Sequence, residues 1–94
     1  MDQSEIKNII PNHLKAYHPV KVGIFGSFGR GDYKKGSDID ILVEFKEALS
    51  LLTLIRLENE LSEILGIRAD LVTTGALKNK RIKKSIQKDL IKIM

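Results

Sequence analysis

The sequence predicts an α/β domain in which a small mixed β-sheet carries helices packed mainly on one face. Three observations predict it. Short apolar runs at 20–25, 38–45 and 67–73 alternate with a period of two, the signature of strands. Around them, apolar residues recur at helical spacing over 6–17, 48–65 and 77–90. Finally, 94 residues make a single domain, 1–94, near the lower end of the usual range. Such a chain buries about 60–65% of its unfolded surface, enough for one sheet with helices on one side.

Composition narrows the function classes. The chain has no cysteine, hence no disulfide framework and no thiolate metal site, which fits a reducing cytoplasm. No apolar run approaches the roughly 20 residues of a membrane span, and the N-terminus lacks a signal-peptide core. A soluble, cytoplasmic domain with no membrane partner is expected. The net charge is +4, and much of the positive charge is gathered late in the chain. Residues 78–92 hold Lys78, Lys80, Arg81, Lys83, Lys84, Lys88 and Lys92 against a single acid, Asp89. That pattern reads as a solvated helix face or as a footprint for an acidic partner, a nucleotide or RNA. With two tyrosines, three phenylalanines and no tryptophan, stacking recognition of single-stranded nucleic acid is not supported.

Taken in order, Asp2 or Ser4 can cap a first helix that buries Ile6, Ile9, Ile10, Leu14 and Tyr17. Pro11 is expected to kink that helix or divide it, because proline lacks an N–H and clashes with the preceding turn. His18-Pro19 ends it. His13 and His18 have no carboxylate or second histidine at ligand spacing, so both read as structural or surface residues. The first strand, 20–25, places Val20, Val22 and Ile24 on one face.

Gly26-Ser27-Phe28-Gly29-Arg30-Gly31 then reads as a strand end turning into a short helix. Free N–H groups at such a helix start form an anion site, to which Ser27 adds a hydroxyl. No Gly-Lys-Ser/Thr follows and no third glycine completes a dinucleotide fingerprint. Arg30 is open to two roles, a phosphate contact or a tie to a neighbouring carboxylate. Lys34 and Lys35 read as exposed turn residues within reach of a phosphate, and Ser37 as a residue that shapes the approach to Asp38.

The second strand puts Asp38, Asp40, Leu42 and Glu44 on one face, and Ile39, Ile41, Val43 and Phe45 on the other, core face. Two carboxylates so close raise one another's pKa unless a cation sits between them, and oxygen ligands of this kind suit Mg²⁺ or Mn²⁺. The helix over 48–65 ends at Gly66 and presents Leu51, Leu54, Ile55, Leu57, Leu61, Ile64 and Leu65 as its core face. Leu49 and Leu52 fall outside this face, as rim contacts or an interface. Glu58 falls within it, where it must snorkel or meet a basic partner. In the third strand Arg68, Asp70 and Val72 share a face. Alone, Asp70 would accept a salt bridge from Arg68 or an N–H bond from the following turn; beside Asp38 and Asp40 it becomes a third carboxylate. The last helix turns Leu77, Ile82, Ile86 and Leu90 inward, and residues 90–94 fit either its end or a short edge strand.

Gly26-Ser27, ten residues, then Asp38-Ile39-Asp40, with Asp70 on a later strand, resembles the signature of the DNA polymerase β-type nucleotidyltransferase superfamily. The fuller string from Phe25 through Arg30-Gly31 to Leu42 is similar to the minimal nucleotidyltransferases, which are often paired with helical HEPN toxins. The resemblance spans nearly the whole chain. It implies a polymerase β-type nucleotidyltransferase fold, with Gly26, Ser27 and Arg30 binding the nucleotide. It further implies that Asp38, Asp40 and Asp70 are catalytic, holding two Mg²⁺ ions. The implied activity is AMP transfer from ATP to a hydroxyl of a partner, often a HEPN toxin tyrosine, by a domain acting as antitoxin. Two alternatives stay open: an antitoxin that acts by contact alone, and a transferase with a small-molecule or RNA acceptor.

Overall fold

A computed structural model describes residues 3–26, 28, 38–73 and 80–93. Helix α1 (Gln3–Leu14) runs into a 3-10 turn (Lys15–Tyr17), followed by strands β1 (Pro19–Phe25) and β2 (Ile39–Phe45). Helix α2 (Leu51–Leu65), strand β3 (Ala69–Thr73), helix α3 (Lys80–Asp89) and strand β4 (Ile91–Lys92) complete the order. The four strands form one mixed sheet in the order β3-β2-β1-β4. β1 runs antiparallel to β2 and β4, whereas β3 is parallel to β2. A parallel pair needs a long crossover, and α2 supplies it. The expected α/β architecture with a mixed sheet is therefore present, and Ile91–Lys92 form an edge strand.

Strand alternation sorts the apolar residues into two layers. Ile39, Ile41 and Val43 of β2 join Val22 and Ile24 of β1 under Ile6, Ile10 and Leu14 of α1 and Leu57, Leu61 and Leu65 of α2. The opposite face carries a smaller cluster in which Ile82 and Ile86 of α3, with Leu90, meet Phe25, Leu42 and Val72. Two helices thus cover one face, as expected, while α3 covers part of the other. Leu42, expected on an exposed face with the carboxylates, is buried for that reason.

Three local expectations change. The helix continues through Pro11 to Leu14 and is not divided. Ile6, Ile10 and Leu14 are all buried on its one stripe, and each contributes about 1.5–3 kcal/mol. Together they outweigh the roughly 3 kcal/mol that an interior proline costs. Val20 is 57% exposed because the register shifts between Pro19 and Lys21, a bulge that takes Val20 out of the ladder. Helix α2 starts at Leu51, with the Ser50 hydroxyl accepting from the Thr53 amide, and closes on Gly66 at φ 70°. Its buried stripe is only Leu57, Leu61 and Leu65; Leu51, Leu52, Ile55 and Ile64 remain exposed. Glu58 and Ser62, beside that stripe, turn onto β3 instead.

Candidate active site

The carboxylates converge through strand register. Asp40 stands opposite Asp70 on the neighbouring parallel strand, and opposite Phe25 on β1. Residues paired in register point to the same face. Asp40 and Asp70 therefore share the α3 side of the sheet, one step from the Phe25–Leu42–Val72–Ile86 cluster. Asp38 lies just before β2 and is exposed, whereas Asp40 and Asp70 are half-buried.

Gly26 follows β1 directly and adopts φ 72°, a left-handed conformation natural to glycine. A Cβ at this position would collide with Oδ2 of Asp40. The turn thus brings bare backbone against the carboxylate, and no other residue type fits there without displacing one of them. Gly26 and Phe28 belong to a helical segment directly after β1, in keeping with the strand-to-helix turn the sequence predicts.

Electrostatics single out Asp40. Its pKa is raised above the ordinary carboxylate value, first by burial and then by the charges of Asp70 and Asp38. Asp70 also has an ion pair with Arg68 at 3.7 Å, but Arg68 is 74% exposed, so the pair is loose and screened. Among the described residues, no group of three His, Cys, Asp or Glu side chains is placed to hold a metal ion. The donors nevertheless suit a hard cation: oxygen atoms of unlike exposure, close enough to oppose one another's charge. Mg²⁺ keeps several waters and is commonly held by one or two carboxylates together with substrate phosphates, so a closed cage is not required.

Ser27 and Arg30, the other expected nucleotide-binding residues, lie outside the described residues, as do Lys34, Lys35, Ser37 and Lys78. The described part of the basic helix shows Lys80, Arg81, Lys83, Lys84 and Lys88 exposed and Asp89 buried. His13 sits 3.7 Å from Glu60, away from the carboxylates, in keeping with a surface role. A cleft of about 570 Å³ lined by Lys15, His18, Val20 and Lys46 opens at the opposite end of β1 from Asp40.

Sequence reasoning missed what Glu58 and Ser62 do. Among the described residues Glu58 meets no cation; its Oε2 accepts the Leu71 amide at 2.7 Å. The Ser62 hydroxyl donates to the Glu58 carbonyl at 2.7 Å and accepts the Ala69 amide at 2.9 Å. A polar i, i+4 pair bordering a leucine stripe was the available signal.

Comparison with known proteins agrees with this arrangement. The nucleotidyltransferase domain family matches residues 4–93. A Methanocaldococcus jannaschii protein named as a candidate protein adenylyltransferase is 51% identical over 94 residues, 96% of each chain. The protein adenylyltransferase MntA of Thermococcus cleftensis is 41% identical over 91 residues, covering 93% of this chain and 91% of its own. Among solved structures, a toxin–antitoxin with AMP-PNP superposes with a TM-score of 0.83 at 22% identity, over 94% of this chain and 72% of that one. A tri-AMPylated Shewanella oneidensis HEPN toxin in complex with MNT antitoxin gives 0.79 at 20% identity, over 99% and 72%. At those identities the likeness shows the fold. A candidate minimal nucleotidyltransferase gives 0.77 at 31% identity, over 97% and 95%. The chain belongs to the nucleotidyltransferase domain family. It is an enzyme of that class, with the fold of the minimal nucleotidyltransferases.

Proposed function

We propose that this domain transfers AMP from ATP to a hydroxyl of a partner protein, as the antitoxin of a HEPN toxin pair in the cytoplasm. One observation carries the proposal: Asp40 and Asp70 stand in register while Gly26 presses bare backbone against the Asp40 carboxylate. A phosphate bound at the turn after Gly26 would lie beside these carboxylates, and a shared cation would offset the repulsion between them. Support for the acceptor comes from the relatives, whose names describe protein adenylyltransferases and an AMPylated HEPN toxin.

In this reading Asp38 and Asp40 hold a divalent cation, Asp70 completes the set, and Gly26, Ser27 and Arg30 seat the triphosphate. Bound Mg²⁺ or Mn²⁺, two ions by family resemblance, would neutralise phosphate charge and make the acceptor hydroxyl more acidic. The hydroxyl oxygen attacks the α-phosphorus, the bond to the bridging oxygen of the β-phosphate breaks, and pyrophosphate leaves. Asp70 receives the hydroxyl proton or passes it to water. The backbone N–H groups after Gly26 hold the phosphates, so the chain contributes positioning and charge complementarity.

Label distinguishes this chemistry from phosphorylation. ATP labelled at the α-phosphate is expected to mark the partner protein, and ATP labelled at the γ-phosphate is not. Marking by the γ-label would overturn the assignment. A second reading, neutralisation by contact alone, draws on the exposed Leu51, Leu52 and Ile55 of α2. It predicts that Asp38→Asn still neutralises the toxin in full, with no AMP on it.

A further inference from the structure

Strand β3 forms one edge of the sheet, and its only neighbour within that sheet is β2. Successive amides along a strand point to opposite edges. The Ala69 and Leu71 amides point outward, because both are taken up by helix α2, through Ser62 Oγ at 2.9 Å and Glu58 Oε2 at 2.7 Å. The residue between these two clamped amides is Asp70. Its own backbone faces β2, next to the bond from the Ile39 amide to the Arg68 carbonyl at 2.8 Å.

The clamp is itself constrained. Ser62 spends its hydroxyl hydrogen on the Glu58 carbonyl, one turn back, and so turns a lone pair toward Ala69. The Glu58 bond is charge-assisted and short. By contrast, among the described residues nothing comparable holds the Asp70 side chain, whose pair with Arg68 is long and exposed.

We infer that Glu58 and Ser62 are positioning residues that fix the edge strand around Asp70 and so set where the third carboxylate stands relative to Asp40. The inference rests on the proposed role of Asp70. Displacing a reacting group by about 1 Å can cost on the order of 100-fold in rate. Glu58→Ala is therefore expected to lower kcat about 10- to 100-fold and leave KM for ATP near wild type, since the triphosphate is seated at Gly26 on the far side of Asp40. Glu58→Gln keeps an acceptor oxygen and is expected to restore kcat to within about fivefold of wild type.

The test measures nucleotidyl transfer to a co-produced HEPN-type partner protein for wild type, Glu58→Ala, Glu58→Gln, Ser62→Ala and Asp70→Asn. Amide exchange of Ala69 and Leu71 is followed alongside. Faster exchange at Leu71 in Glu58→Ala, with β2 amides unchanged, is the expected activity-independent result. Ser62→Ala, a smaller change, should do the same at Ala69 and serves if Glu58→Ala does not fold. The inference is overturned if kcat is untouched in both variants, if kcat and KM shift alike, or if Glu58→Gln fails to rescue. Wild-type transfer by Asp70→Asn would instead remove the assignment of Asp70, a separate failure.

Discussion

The approach of Gly26 to Asp40 can be isolated by a matched pair of substitutions. Gly26 and Gly66 have nearly the same left-handed φ, 72° and 70°, but different surroundings. An added Cβ at Gly66 meets nothing within 4 Å, whereas at Gly26 it strikes Oδ2 of Asp40. Each alanine carries the conformational cost of a side chain at positive φ, about 1–2 kcal/mol. That alone should lower the melting temperature of Gly66→Ala by roughly 5–15 °C, using about 4–8 °C per kcal/mol for a domain of this size. Gly26→Ala adds the collision, which only a shift of the turn or of the Asp40 carboxylate can relieve. Its transfer rate should then fall about 100-fold, the usual cost of a misplacement near 1 Å. Gly66→Ala should transfer at close to the wild-type rate. Urea denaturation and single-turnover transfer at a temperature where both variants are folded provide the assay. Equal transfer by the two variants would refute the claim that bare backbone at Gly26 is what seats Asp40.

Further expectations follow from the same geometry. The Asp40 pKa is raised, so its ionisation disfavours the fold: the stability it gives is complete below the ordinary carboxylate value and is lost as pH rises through the raised one. Asp40→Asn should accordingly melt no lower than wild type at pH 7 while abolishing transfer; a marked drop in melting temperature would contradict the stated cause of the shift. Nucleoside triphosphate should bind weakly in EDTA and far better with Mg²⁺ or Mn²⁺, and equal affinity by calorimetry would remove the cation from the site. Ser27→Ala should reduce transfer less than Asp38→Asn, because the substitution leaves the backbone N–H groups of the proposed cradle in place, and the ratio of the two rates decides it. Leu61→Ala should cost about 2–5 kcal/mol in urea denaturation and Leu52→Ala no more than about 0.5 kcal/mol, as Leu61 is wholly buried and Leu52 is 80% exposed.

What could be read from the sequence was local. Period-two alternation located β1, β2 and β3, and the spacing of Asp38 and Asp40 placed two carboxylates at the head of one strand. The register of Asp40 with Asp70 is not local, since the α2 crossover sets it; family resemblance anticipated only that Asp70 would join the other two carboxylates. Leu42 looked exposed because its cover, Ile82 and Ile86, comes from a helix some forty residues later. Val20 obeyed the alternation in sequence but not in space, because a bulge of one residue breaks the ladder beside it. Of the two outcomes expected at Pro11, division does not occur: its local penalty is genuine, but the buried stripe on either side keeps one helix from Gln3 to Leu14. Glu58 looked misplaced on an apolar face because the group it serves, an edge-strand amide, belongs to another element.

Intact-mass spectrometry of the partner protein, co-produced with this domain, tests the proposed activity most directly. With the wild-type domain the partner should gain the mass of one or more adenylyl groups, and with Asp40→Asn it should gain none. An unmodified partner in both cases, with its toxicity still suppressed, would contradict adenylyl transfer and leave contact as the means of neutralisation.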